Sequence, residues 1–321
     1  MGIVFTASGQ GASPKGWYAL WAMSSLRRKL RSRWQLFAQH PLTRDQKLRA
    51  CWRYLRFHSR HRLRRGPAVY PFVGKTLFAA EPGMAGIVSN IYTGLQDFEE
   101  MAFLLHLLRE DDLFVDVGAN VGAYTLLAAG VCASSTIALE PVPATFADLQ
   151  SNLALNNLGE RVQALNAGAG ATAGRLSFTQ NAGTMNRVAD DGVLSSHLVE
   201  VEVTPLDQLL GDRAPLLIKI DVEGFEYDVL QGASSILPKT QALLVELNGS
   251  AAAYGHSDDE VHRLLLRHGF HPYNYDPWQR KLEKLDSFNV GRFNTTYLRN
   301  PSFVERRLTS AAPFRVLGKS V

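Results

Sequence analysis

The residues of this sequence whose types and spacing could do chemistry are acids and glycines that close apolar runs. In "LFVDVGANVGAYTLLAAGV", Leu113 to Val131, an apolar run ends on Asp116, turns through Gly118-Ala119-Asn120-Val121-Gly122 and restarts as a small-residue helix. Further along, Glu140 closes "STIALE", Asn166 closes "RVQALN", and Asp221 closes "LLIKID" with Glu223 two residues on. Glu246 and Asn248 close "QALLVELN". A pyrophosphate would need Gly-x-Gly-x-x-Gly to approach the backbone; the spacing here is Gly-x-x-x-Gly, and Asp116 would repel a phosphate. A cationic ligand removes both objections.

S-adenosyl-L-methionine is such a ligand. An acid favours its ammonium and sulfonium, and its carboxylate could use backbone N–H groups at a helix start. Glu140, about twenty residues after the loop, suits the ribose hydroxyls, as an acid does in the related dinucleotide fold. The expected cofactor set is Asp116, Gly118, Ala119, Asn120, Gly122, Glu140 and Asn166.

Those residues must be positioned by a doubly wound, Rossmann-like α/β sheet. The runs LFVDV, STIALE, LLIKID and QALLVEL are almost continuously apolar, as strands covered on both faces are, and helical segments alternate with them. Ligands of such sheets sit outside the carboxyl ends of the strands. "AVYPFVGKTLFAAEPG" reads as two short strands ahead of this unit, and "FHPYNY" and "NTTYLRN" as closing strands. Phe98, Met101, Ala102, Leu104, Leu105 and Leu108 mark an apolar helical face on which His106 is a core residue. Ser257 and Glu260 form a capping box, with His256 beside it.

The motifs "FVDVGANVGAYTLLAA", "ALEPVPATFADLQSNLALNNL", "TPLDQLL" and "LIKIDVEGFEYDVLQGA" followed by "LLVEL" resemble the FkbM family of S-adenosylmethionine-dependent methyltransferases. The resemblance runs from roughly Asn90 to Asn300 and implies a seven-stranded methyltransferase sheet with an antiparallel last strand. It implies O-methylation of a sugar, glycan or natural-product hydroxyl. Asp116, Gly118, Asn120, Gly122 and Glu140 match its cofactor motif, and Asp221, Glu223 and Gly224 its second motif. Phe225 stands where a His is often found.

Methyl transfer to a hydroxyl needs an acceptor held in line and a base for its proton. Asp221 and Glu223 are the candidates, since a close pair pushes one pKa upward; the alternative is that Asp221 only orients cofactor and Glu223 starts a helix. Asn186 and His197, in the loop "NAGTMNRVADDGVLSSH", are weaker candidates for touching the acceptor. No local ligand spacing supports a metal, and Cys51 and Cys132 have no zinc-site spacing.

Charge divides the chain. Residues 1–66 hold 15 of the 34 Lys and Arg and one acid, Asp45, so an arm of net +14 precedes a body of net −10. Trp17, Leu20, Trp21, Leu30, Trp34 and Phe37 recur in the arm at mostly helical intervals, and a further helix is expected from an N-cap at Thr43 to Gly66. The arm could pack its aromatics on the acidic body, or dock through residues 17–66 on an anionic membrane; nucleic acid is a weaker partner. The organisation expected is a basic helical arm (1–66), a methyltransferase domain (67–300) and a C-terminal tail (301–321). With no apolar run long enough to span a bilayer and no secretory leader in residues 1–16, the location expected is cytoplasmic, and peripheral at the inner membrane face if the arm docks there. An RNA-directed methyltransferase and a membrane-surface module that binds cofactor without turnover are the competing readings.

Overall fold

The computed structural model describes residues 31–179, Val188 and residues 198–321. Helix α1 (Lys47–Leu63) is followed by an antiparallel hairpin of β1 (Ala68–Pro71) and β2 (Leu77–Ala80), then by helices α2 (Ala85–Thr93) and α3 (Phe98–Leu107). From there strands and helices alternate: β3 (Leu113–Val117), α4 (Ala123–Thr125), β4 (Ser135–Leu139), α5 (Pro143–Leu155) and β5 (Val162–Leu165). A separate three-stranded sheet comes next, made of β6 (Gly168–Ala169), β7 (Gly174–Thr179) and β8 (Leu198–Thr204). Alternation resumes with α6 (Leu206–Leu210), β9 (Leu217–Ile220), α7 (Glu226–Gln231), β10 (Ala242–Glu246) and α8 (Asp258–Arg267). The chain closes with β11 (His271–Asp276), β12 (Lys281–Lys284), β13 (Asn294–Leu298), α9 (Pro301–Ser310) and the hairpin β14 (Arg315–Val316) and β15 (Lys319–Ser320).

The central sheet has the order β12-β11-β13-β10-β9-β3-β4-β5. Strands β10, β9, β3, β4 and β5 are parallel, and β13 runs antiparallel between β10 and β11. Alternate side chains feed two cores, one on each face. Phe114 and Leu217 join α3, α4, α5 and α9 through Phe103, Tyr124, Leu149 and Leu308. Val115, Ile218 and Ile220 join α6, α7 and α8 through Leu206, Val229 and Leu265. This double burial is why the parallel strands are apolar throughout, with no polar face.

The doubly wound fold is as expected, with three local differences. The sheet has eight strands, not seven: Asp276 Oδ1 accepts the N–H groups of Trp278 and Gln279, and this turn folds β12 back onto β11. The helix after β3 is not regular: it starts at Ala123, after the positive φ of Asn120 and Gly122 (52° and 96°), and widens to a π-helical turn over Leu126–Val131. Thr43 does not cap a helix; it is buried with Oγ1 donating to the Phe37 carbonyl, and α1 begins at Lys47.

Within the arm, Phe37, Ala50 and Phe57 pack on Tyr92 of α2, and Arg53 donates two bonds to the Tyr92 carbonyl. Trp17, Leu20, Trp21 and Leu30 lie outside the described residues. Residues 301–321 bury Val304, Leu308, Val316 and Val321 in the same core as α3. The Ser257–Glu260 capping box is present, and His106 is buried with Nδ1 against the Tyr275 hydroxyl at 2.7 Å. Among the described residues no helix is long and apolar enough to cross a membrane.

Candidate active site

A cavity of about 390 Å³ opens at the carboxyl ends of the central strands. Strand register explains its chemistry. Asp116 on β3 lies directly opposite Lys219 on β9, which lies opposite Leu244 on β10. Side chains two residues apart share a face of the pleat, so Asp221 and Glu246 follow on the same side, and all four line the cavity.

Lys219 is the centre of this group. Its Nζ lies 2.7 Å from Asp221 Oδ2, with the lysine side chain 4% exposed and that of the aspartate 35%. It also sits 4.8 Å from the centre of the Tyr124 ring, whose hydroxyl donates to Asp97 Oδ2 at 3.0 Å. Burial alone would lower the lysine pKa, but the charges of Asp221 and Asp116 outweigh it and hold the ammonium charged. Burial would likewise raise Asp221; the Lys219 ammonium and its hydrogen bond hold that carboxyl below its ordinary range. Glu246, hydrogen-bonded to Asp221, is pushed up by burial and then by the Asp221 charge. Asp221 and Glu246 are therefore a pair that separates in pKa, one carboxyl held low and the other pushed up. Register across β9 and β10 brings them together.

Asp116 is 1% exposed, and burial raises its pKa against the opposing charge of Lys219. Thr125 Oγ1 donates to its Oδ2 at 2.7 Å, while Oδ1 is a buried acceptor with no hydrogen-bond partner among the described residues. Glu140 ties the glycine loop to the next strand: Oε2 accepts from Asn120 N–H at 2.9 Å and Oε1 from Val142 N–H at 3.0 Å. Burial lifts its pKa to about 7, although those two bonds oppose the rise.

The loop N–H groups do not await an anion, contrary to the expectation from a helix start. Gly118 and Ala119 donate to the Leu139 carbonyl, Asn120 to Glu140, Val121 to the Asn120 side chain and Gly122 to Ala119. Gly118, at φ +79°, has no room for a side chain: a Cβ would lie 1.9 Å from the Asp221 carbonyl oxygen. The two βα loops touch there, backbone to backbone.

Asp116, Gly118, Ala119, Asn120, Glu140, Asp221 and Glu223 all line the cavity. Gly122 and Asn166 do not. Gly122 faces α5, where a Cβ would meet Leu149 at 2.6 Å. Asn166 Nδ2 donates to the carbonyls of Glu140 and Pro141, so it braces the turn that carries Glu140. Asn186 and His197 lie outside the described residues. Phe225 lines the cavity edge-on to Tyr254, 5.4 Å between ring centres.

Four residues were missed. Lys219 could have been found from the strand period, standing two residues before Asp221. Asp97 and Tyr124 have no local signal, since the α2–α3 connection meets α4 only in three dimensions. Glu226 accepts from the N–H groups of Val222 and Gly224 and so shapes the turn bearing Glu223. Glu223 itself takes φ +54°, a strained conformation for a residue with a side chain and one that gathers at functional sites. Asp221, Glu223 and Glu246 each bring one carboxylate oxygen within 4.8 Å of the others, a spacing that a cation could use. Lys219 already supplies positive charge to Asp221 there.

Residues 116–272 match the family model described as a methyltransferase FkbM domain. Methyltransferase 1 of Beauveria bassiana is 35% identical over 147 residues, covering 38% of this chain and 59% of that protein. The hexuronic acid methyltransferase AglP of Haloferax volcanii is 29% identical over 45% of this chain and 59% of its own length. The 31-O-demethyl-FK506 methyltransferase FkbM of Streptomyces tacrolimicus is 28% identical over 54% of this chain and 78% of its own. The chain thus spans less than two thirds of the first two of these relatives. The matched span runs from Asp116 through the glycine loop, Glu140 and the Lys219–Asp221–Glu246 group, so the candidate site lies inside the stretch that matches the methyltransferase FkbM domain.

Proposed function

We propose that this protein transfers a methyl group from S-adenosyl-L-methionine to a hydroxyl of a sugar, glycan or natural product. The observation that carries the reading is Asp116 Oδ1, a buried acceptor with no partner among the described residues, in the same cavity lining as Glu140. An acceptor so placed is costly unless a donor or cation meets it. The ammonium of S-adenosylmethionine is such a group, and Glu140 retains lone pairs for ribose hydroxyls. When bound, that molecule supplies a methyl group activated by a sulfonium.

This chain's residues then have separate tasks. Gly118, Ala119 and Asn120 line the floor of the cavity, and Glu140 fixes the loop while offering acceptor atoms. Lys219 keeps Asp221 ionised, so the carboxylate can take the proton of the acceptor hydroxyl as the new bond forms. Glu246 Oε2, another buried acceptor without a partner among the described residues, would orient the remaining hydroxyls, with Glu223 also in the cavity lining. The alternative role of Asp221, holding cofactor only, makes an opposite kinetic prediction. The hexuronic acid and FK506 named for two relatives favour an oxygen acceptor. An RNA acceptor is disfavoured by the cavity, whose lining includes Asp97, Asp116, Glu140, Asp221, Glu223 and Glu246 and would repel a phosphate backbone.

The test is labelled methyl transfer to sugar acids, glycans, small-molecule extract and total RNA in parallel. Label in hydroxyl-bearing small molecules or glycans is expected, and label confined to RNA would overturn the acceptor class. Asp221→Asn should lower kcat by about 10²-fold or more with little change in cofactor affinity. Lost cofactor affinity with kcat retained at saturation would assign Asp221 to binding alone.

A further inference from the structure

Helix α1 is apolar on two faces. One is buried: Ala50 and Phe57 pack with Phe37 on Tyr92. The other faces solvent. Leu48, Trp52, Leu55 and Leu63 are 77%, 66%, 52% and 86% exposed, and at 100° per residue they fall in one stripe opposite Ala50 and Phe57. A surface helix ordinarily turns polar residues outward, so this stripe is not needed to hold α1 on the body.

Basic residues flank the stripe. Arg49, Arg56 and Arg60 run along one side and Arg62 beside Leu55 on the other, all exposed. Residues 31–66 carry eleven Lys and Arg against one acid, Asp45, which itself pairs with Lys319. Trp34, also exposed, lies near Lys47, whose Nζ is 5.8 Å from its ring centre.

We propose that this outer face of α1 docks on an anionic lipid surface, with Leu48, Trp52, Leu55 and Leu63 in the headgroup–acyl boundary and the arginines on lipid phosphates. The geometry is that of an interfacial helix: an apolar stripe that leaves water, an indole that tolerates a half-wet position, and long basic side chains that reach back to the headgroups. Charge complementarity selects the occupant. A second copy meeting the same patch symmetrically would set the flanking arginines, Arg49, Arg56, Arg60 and Arg62, against their own equivalents. Single-stranded nucleic acid is held by aromatic stacking beside basic residues, and three of the four stripe residues are leucines, which partition into lipid and do not stack.

The intact chain is tested by sedimentation with vesicles of phosphatidylcholine alone and with phosphatidylglycerol added. Binding to the anionic vesicles only is expected, and it should weaken as salt rises. The triple variant Leu48→Ser, Trp52→Ser, Leu55→Ser should lose about ten-fold or more in partitioning. Arg49→Glu with Arg56→Glu and Arg60→Glu should abolish the preference for anionic lipid. All these side chains are exposed, so an unchanged thermal midpoint confirms that the fold is intact. Three outcomes would overturn the proposal. The triple variant could bind vesicles like the parent chain, or neutral and anionic vesicles could bind alike. In the third, vesicles fail to bind while the triple substitution abolishes RNA retention at physiological salt or self-association in sedimentation velocity.

Discussion

The two halves of the cavity are built by different means. On the β3–β4 side, the glycine loop closes on itself: five consecutive N–H groups are satisfied within the protein, and one carboxylate, Glu140, ties the loop to the next turn. On the β9–β10 side, charged side chains from separate strands hold one another, with Lys219 among Asp116, Asp221 and Glu246. The first half is a shaped backbone surface carrying an acid that can accept hydroxyls. The second is a charge network in which each pKa depends on its neighbours. This suits a division of labour in which one side must fit a constant cofactor and the other must handle a proton.

The largest effect is expected where the halves touch. Gly118→Ala puts a methyl group against the Asp221 carbonyl oxygen at a backbone angle that L residues avoid. Overpacking and left-handed strain together should cost roughly 2–5 kcal/mol, and S-adenosylmethionine binding should fall with it. Chemical denaturation and calorimetry check this. A variant of parent stability and affinity would show that the loops can part, and the contact between the halves would lose its significance.

Next comes the charge network. Lys219→Met leaves Asp116 and Asp221 without their cation. A broken buried pair costs about 3–5 kcal/mol, and the lower end applies because the Asp221 side chain is a third exposed. Turnover should fall further than stability, since Asp221 would no longer be held ionised. Adding Asp221→Asn should recover part of the stability and none of the activity. If the double variant is less stable than Lys219→Met alone, the lysine acts by packing on Tyr124 and not by charge.

The same contrast governs what was legible in the sequence. Asp116, the glycine loop and Glu140 are local: a strand, a turn and the next strand end carry them in order, so composition and spacing suffice. Gly122 and Asn166 stand in that same order, yet one makes room for Leu149 and the other braces a turn, distinctions only packing reveals. The β9–β10 half is non-local. Asp221 and Glu246 are 25 residues apart and meet through register, and Asp97 reaches the site from before β3 through a Tyr124 hydroxyl. The doubly wound sheet was readable because both its faces are buried, while the eighth strand was not, being a polar edge added by one aspartate turn.

On the backbone side, Glu140→Ala should weaken S-adenosylmethionine by ~1.5–3 kcal/mol, the range for hydrogen bonds to a charged group, or roughly 10- to 150-fold. Calorimetry against both S-adenosylmethionine and NAD measures it. Tight NAD binding with no response to S-adenosylmethionine would refute the cofactor assignment altogether.

The smallest effect is a pH dependence centred on the backbone half. Burial holds Glu140 at about 7 against an ordinary 4.5, so without ligand the folded protein keeps a proton that the unfolded chain has released. Its contribution to stability is therefore greatest below the unfolded pKa and declines as pH rises through about 7. Ligand affinity should run the other way, because ribose hydroxyls bond better to the ionised carboxylate. Between about pH 6 and 8 the affinity for S-adenosylmethionine should rise by up to about ten-fold, the change in ionised fraction for a group titrating midway. Asp221, held low by Lys219, is already ionised throughout that window and adds no slope. Glu140→Gln keeps acceptor atoms but cannot ionise, and should bind weakly with a flatter profile. An equal slope in parent and Glu140→Gln would move the titrating group to Asp116 or to Glu226, which burial also raises, the latter to about 7, and would place the proton linkage beside the charge network.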